Sequence, residues 1–150
     1  MAANITTTEY RALAELRHQI RLFLRDGDAT ARKAGLEPQQ YLMLLAIRGL
    51  PADEEASIRT LADRLALKHH SAVELIDRLE KHRYVRRARS RQDRRQVLVA
   101  LEPRGKRILD EVAKQRIIEL RATGAALVSA IQALLHTDGN GRRRASARGK

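Results

Sequence analysis

Residues 58–101 read IRTLADRLALKHHSAVELIDRLEKHRYVRRARSRQDRRQVLVAL, and this stretch decides the fold. Ile58, Leu61, Ala62 and Leu65 fall at offsets 0, 3, 4 and 7, and Ala72, Leu75, Ile76 and Leu79 repeat those offsets. Each set makes one apolar stripe on an α-helix. Only Ala66 to His69 lie between them, so the turn is tight, as in a helix-turn-helix whose second helix enters the DNA major groove. Val85–Arg89 and Val97–Leu101 are strand-like; Val97, Val99 and Leu101 alternate with Leu98 and Ala100, which lets one face pack inward. The connection Ser90-Arg91-Gln92-Asp93-Arg94-Arg95-Gln96 is polar and basic throughout. Like charges repel, so this is a poor structural turn and a good probe of phosphates or of the minor groove. A merely solvated hairpin explains the arginine cluster less well.

Upstream, a first helix is expected to start at one of Thr6, Thr7 or Thr8, with Glu9 near its positive end. Leu13, Leu16, Ile20 and Phe23 give it an apolar face, and Gly27-Asp28 is expected to interrupt it. Gly35 ends that segment, and Pro38 suits the first turn of a second helix that closes at Gly49-Leu50-Pro51. Downstream, Pro103 opens a helix with Ile108, Leu109, Val112, Ala113, Ile117 and Leu120. A break is expected at Thr123-Gly124, before a last helix with Leu127, Val128, Ile131, Leu134 and Leu135. Residues 137–150, rich in Gly, Arg and Ser, are expected to form a disordered basic tail. The apolar faces of residues 1–25 and 108–135 need a partner, expected to be the same face of a second chain.

The chain has 150 residues, with 30 Lys and Arg against 18 Asp and Glu, a net charge of +12. The excess is concentrated: residues 57–107 carry +9 and residues 139–150 carry +5, while the other two segments are each −1. This distribution points to a polyanion partner, where simple solubilisation would scatter the charge. Absence of cysteine excludes disulfide scaffolds, thiol catalysis, thiol redox switching and Cys-ligated metal sites. No uninterrupted apolar run approaches the ~18–20 residues of a membrane span, and residues 1–10 do not resemble a secretory signal. A cytoplasmic protein without membrane contact is therefore expected. The only aromatics are Phe23, Tyr10, Tyr41 and Tyr84, too few for base stacking along a single strand.

On the second helix of the pair, the face opposite the apolar stripe presents His70, Ser71, Val73, Glu74, Asp77, Arg78 and Lys81. Ser71 can donate to a phosphate or a base. Val73 either contacts a thymine methyl or is an ordinary exposed valine. Glu74 either accepts from cytosine N4 or orients a neighbouring arginine. Asp77 and Arg78 suit structural ion pairs, and Arg78 also stands among the DNA-facing candidates. His69 and His70 point about 100° apart, which favours a phosphate contact by one of them over metal chelation. No phosphate loop, zinc-protease motif or nucleophile elbow is present, so neither an enzyme nor a metal site is expected. The alternative of a different class is a nonspecific, architectural nucleic-acid-binding protein, which the net charge and Arg142-Arg143-Arg144 would also suit.

The segments Gly35-Leu36-Glu37-Pro38-Gln39-Gln40-Tyr41, Leu61-Ala62-Asp63-Arg64-Leu65, Leu75-Ile76-Asp77-Arg78-Leu79-Glu80 and Asp93-Arg94-Arg95-Gln96-Val97-Leu98-Val99, with Gly105 beyond, resemble the MarR family of winged helix-turn-helix regulators. The resemblance implies a mainly α fold. A winged helix-turn-helix DNA-binding domain (36–102) with a β-hairpin wing would be flanked by N- and C-terminal dimerisation helices (1–35 and 103–136). It implies a homodimer on a pseudo-palindromic double-stranded DNA operator, and repression relieved by a small aromatic or lipophilic effector, with no other cofactor. It favours Arg95 as the minor-groove residue, Asp93 steering it by a salt bridge, and Arg94 on phosphate, beside Arg91. The ion pair could instead merely close the hairpin. Lys68, also on the DNA side, stands where the family often has a serine cap. Arg83 stands where a glycine often ends the recognition helix, Glu74 where a basic residue is common, and Glu102 in place of a threonine cap.

Overall fold

The computed structural model of the chain describes residues 4–136; the expected basic tail at 137–150 lies outside the described residues. Five helices and one hairpin follow in order: α1 (Thr7–Lys33), α2 (Pro38–Arg48), α3 (Ile58–Arg64), α4 (His69–Lys81), β1 (Val85–Arg89), β2 (Val97–Leu101) and α5 (Pro103–Leu135). The two strands are antiparallel, with Val85 opposite Leu101 and Arg89 opposite Val97. A bridge from Ser57 to Leu98 and the bond from the Val99 N–H to the Ala56 carbonyl (2.8 Å) lay the start of α3 along β2.

Two expected breaks do not occur. Gly27-Asp28 lies inside α1, and Thr123-Gly124 lies inside α5, so each flank is one continuous helix. A lone glycine costs a helix interior only about 1 kcal/mol, which the surrounding helix-forming residues outweigh. At Thr123 the hydroxyl donates to the Glu119 carbonyl one turn back and so stays within the helix. Of the three candidate caps, Thr6 is the one used. The Glu9 N–H donates to its hydroxyl at 3.2 Å, and the Glu9 carboxylate takes the Thr6 N–H at 2.7 Å, a reciprocal capping box. These bonds from Thr6 hold the Glu9 carboxyl below its ordinary pKa.

The chain divides into two compact units: residues 28–116, and a second formed by the described residues 4–27 and 117–136. The divisions fall inside α1 and α5 rather than at 35/36 and 102/103. The 28–116 unit holds a core of Leu36, Met43, Leu44, Leu61, Ala72, Leu75, Ile76, Leu79, Val85, Val99, Leu109 and Val112, with Tyr41 and Tyr84 at its edge. In the other unit Ala130 is buried, but Leu13, Phe23, Ile117, Leu120, Val128, Ile131 and Leu135 are exposed. Within α5 an 18-residue window reaches a mean hydropathy of 1.4, long and apolar enough by length and composition to cross a membrane. The expectation concerned uninterrupted apolar runs, and this window is not one. Glu119 and Arg121 interrupt it, which is why it shows in the mean hydropathy and not as a run.

Three helices of the 28–116 unit end by the same device. Leu36 N–H bonds the Ala31 carbonyl and Gly35 N–H the Arg32 carbonyl; Leu67 and Ala66 do the same to Ala62 and Asp63, and Tyr84 and Arg83 to Leu79 and Glu80. This is the Schellman closure, which needs a left-handed residue. Gly35 takes that conformation at φ 92°, Ala66 at 51° and Arg83 at 59°. The tight turn between α3 and α4 thus rests on a left-handed alanine, which the sequence did not signal. Just after the hairpin, Gly105 is forced by space: a Cβ there would overlap the Tyr84 carbonyl.

Opposite effects of glycine chemistry are expected at these positions. Arg83→Gly should raise the thermal midpoint, by relief of roughly 1 kcal/mol of left-handed strain. Gly105→Ala should lower it, through overpacking that costs about 1–3 kcal/mol of stability. Thermal melts at fixed protein concentration check both.

Candidate nucleic-acid interface

The rotation of α4 is fixed by burial of Ala72, Leu75, Ile76 and Leu79, the four residues of the sequence stripe and each at most 3 % exposed. Lys68, His69, His70, Glu74, Asp77, Arg78 and Lys81 are exposed, and Ser71 is half-buried. Val73 departs from the outward position expected of it. It is half-buried and packs on the core cluster, which leaves only part of its side chain available to a thymine methyl. Lys68 is the N-cap of α4 and gives no side-chain bond to the first turn. The helix therefore begins with N–H groups that its cap residue leaves unmet, next to three cationic or titratable side chains, an arrangement that attracts an anion.

The ion-pairing role suggested for Asp77 is met by a residue the sequence reading did not single out. The Arg87 guanidinium on β1 reaches Asp77 at 2.6 Å and Glu80 at 2.8 Å, and its backbone N–H also donates to Glu80. Burial works against the charged guanidinium, but the two carboxylates outweigh it and raise its pKa. This fork ties α4 to the hairpin. Arg78 forms no ion pair among the described residues, so its guanidinium is free for other partners. No local spacing rule links residues 77, 80 and 87, because a helix end and a turn separate them.

At the hairpin tip, Arg91, Gln92, Asp93, Arg94 and Arg95 are all exposed. Among the described residues none of the three guanidinium groups has an acidic partner. The expected salt bridge from Asp93 to the Arg95 side chain is not formed. The Asp93 carboxylate accepts the Arg95 backbone N–H at 3.0 Å, as Asx turns do, and so shapes the tip. Glu102 pairs with Arg86 at 3.4 Å. The described residues hold no group of three or more potential metal ligands from His, Cys, Asp and Glu. A cavity of about 470 Å³ lies beside α4, lined by Asp28, Arg32, Glu37, Pro38, Gln39, Gln40, Leu75 and Arg78.

Comparison with known proteins places this geometry. The MarR family profile matches residues 34–96. The HTH-type transcriptional regulator YsmB of Bacillus subtilis, itself uncharacterized, is 30 % identical over 106 residues, covering 71 % of this chain and 70 % of that one. SarZ of Staphylococcus epidermidis, also an HTH-type transcriptional regulator, is 32 % identical over 95 residues, 61 % of this chain. The match spans 62 % of the length of SarZ. Among solved structures, AbsC, a MarR family transcriptional regulator from Streptomyces coelicolor, superposes with a TM-score of 0.71 at 20 % identity, covering 95 % of this chain and 99 % of that one. A mutant of MepR from Staphylococcus aureus, bound to an oligodeoxyribonucleotide, gives 0.60 at 19 % identity, covering 95 % and 94 %.

The Arg87 fork is expected to act on stability. Its partners are about half exposed, so Arg87→Met should cost roughly 1 kcal/mol in water. The cost should shrink at about 1 M salt, where surface charges are screened within ~3 Å. Denaturant midpoints at low and high salt measure the difference.

Proposed function

The chain belongs to the MarR family, and we propose on that premise that it is a homodimeric regulator of transcription that binds a double-stranded, pseudo-palindromic operator in a sequence-specific way. The observation that carries this reading is the exposed, unpaired set Arg91, Arg94 and Arg95 at the wing tip, in the same compact unit as α4 with its outward Lys68, His69, His70, Ser71, Glu74 and Arg78. A helix face supplies base-edge contacts, and flexible guanidinium groups on a hairpin supply phosphate and minor-groove contacts. The DNA-bound MepR relative, which shares the fold, supports the same use of it. The protein acts by binding rather than by catalysis, in the cytoplasm, where an operator is found.

The second copy accounts for the exposed apolar side chains of α1 and α5. A surface of this kind, on helices this long, is buried at low cost by its own symmetry mate. Repression follows from promoter occupancy. The reading extends to relief by a small aromatic or lipophilic effector, for which the cavity beside α4 offers two apolar lining residues, Pro38 and Leu75, among polar and charged ones. Linkage requires such an effector to bind the free dimer more tightly than the DNA-bound dimer.

Selection of bound sequences from random DNA by the purified protein is expected to return one inverted repeat, favoured over random duplex by ~10³-fold or more at fixed salt. Equal affinity for all duplexes would identify a nonspecific coating protein instead. Arg95→Ala is expected to keep the thermal midpoint and to weaken operator binding by ~1–3 kcal/mol per half-site, more on A·T-rich flanks than on G·C-rich ones. A gel-shift titration reads this directly. Light scattering at micromolar concentration is expected to give about twice the 17.0 kDa chain mass.

A further inference from the structure

We infer that Ser90 and Glu55 form a positioning pair that holds the wing arginines against the DNA backbone; this rests on the DNA-binding reading above. Ser90 is 2 % exposed although Arg89 and every residue from Arg91 to Val97 are exposed. Its hydroxyl oxygen accepts the backbone N–H groups of Gln92 and Asp93, each at 3.2 Å, and its proton goes to the Glu55 carboxylate at 3.0 Å. Both lone pairs and the proton of the hydroxyl are thus in use. The Ser90 N–H bonds the Gln96 carbonyl at 3.1 Å, and the Gln96 N–H bonds the Asp93 carbonyl at 3.0 Å. The tip that carries Arg91, Arg94 and Arg95 is therefore built around one buried hydroxyl, and a carboxylate from outside the hairpin fixes that hydroxyl.

Glu55 is itself held in place. Its neighbour Ala56 accepts the Val99 N–H, and Ser57 bridges Leu98 while capping α3 through the Thr60 N–H. The wing tip is in this way registered against the start of α3 and does not depend on two strands alone. By charge, a carboxylate beside a phosphate-binding loop opposes binding. Glu55 therefore contributes through its hydrogen bond, by ordering the loop before DNA arrives.

The test uses the full-length protein and a labelled random-sequence duplex of about 25 base pairs, titrated at several salt concentrations, with thermal melts in parallel. Ser90→Ala is expected to weaken binding by roughly 5–20-fold at about 0.1 M salt and to flatten the plot of log affinity against log salt by about one phosphate contact per wing. Simple destabilisation would not change that slope. Glu55→Ala should also weaken binding, although loss of a negative charge alone would strengthen it. Glu55→Gln removes the same charge but keeps an acceptor for the Ser90 hydroxyl, and should bind at least as well as the unmodified protein. An unchanged slope in Ser90→Ala, or equal binding by Glu55→Ala and Glu55→Gln, overturns the pair. If Ser90→Ala does not fold, the two Glu55 variants decide. If the unmodified protein does not bind duplex DNA at all, the DNA-binding reading fails first.

Discussion

Burial of one stripe on α4 is the constraint on which the rest of the 28–116 unit depends. Leu75, Ile76 and Leu79 are almost fully enclosed, and side chains of this size contribute roughly 1.5–3 kcal/mol each when buried. With 3.6 residues per turn, placing these residues inward leaves no freedom in where His70, Glu74, Asp77 and Arg78 point. The polar face is therefore set by hydrophobic packing on the far side of the helix and needs no ordering of its own. The α3 stripe of Ile58, Leu61 and Ala62 meets the same core and fixes the start of the turn.

The wing is positioned by a different kind of interaction. A two-stranded hairpin is marginal in isolation, and beyond the backbone contacts of β2 with Ala56 and Ser57 two side-chain links join this one to the unit. Arg87 ties its first strand to the end of α4, and Ser90 ties its tip to the segment before α3. One link is an exposed, salt-sensitive charge fork and the other is a buried, neutral-to-ionic hydrogen bond. Ionic conditions therefore act on the two ends of the wing unequally.

How much of this was legible in the sequence follows from the range of the forces involved. The stripes at 58–65 and 72–79, both strands, the Pro38 start and the Gly35 stop all depend on residues a few positions apart, and these the one-dimensional pattern carries. Lys68 as a bare cap and the left-handed strain at Arg83 could also be anticipated, because caps and helix ends are local. Ala66 was not legible, since an alanine gives no sign of a left-handed conformation when the close packing of α3 on α4 imposes it. The Ser90–Glu55 and Arg87–Asp77 contacts join residues 35 and 10 positions apart, and in a chain this rich in charges any such pairing looks ordinary. The bond that Asp93 makes was hidden for a different reason: Arg95, two positions on, offers both a guanidinium and a backbone N–H, and turn geometry selects the latter.

The exposed side chains of Leu13, Phe23, Ile117, Val128 and Leu135 also bear on how the protein is maintained. When a chain completes its apolar burial only on meeting a copy of itself, its resistance to unfolding rises with its own concentration by mass action. A scarce regulator then stands closer to unfolding than an abundant one of identical sequence. In the dimer proposed above, abundance would set the stability of the folded chain as well as the occupancy of its operator, and dilution would lower both together.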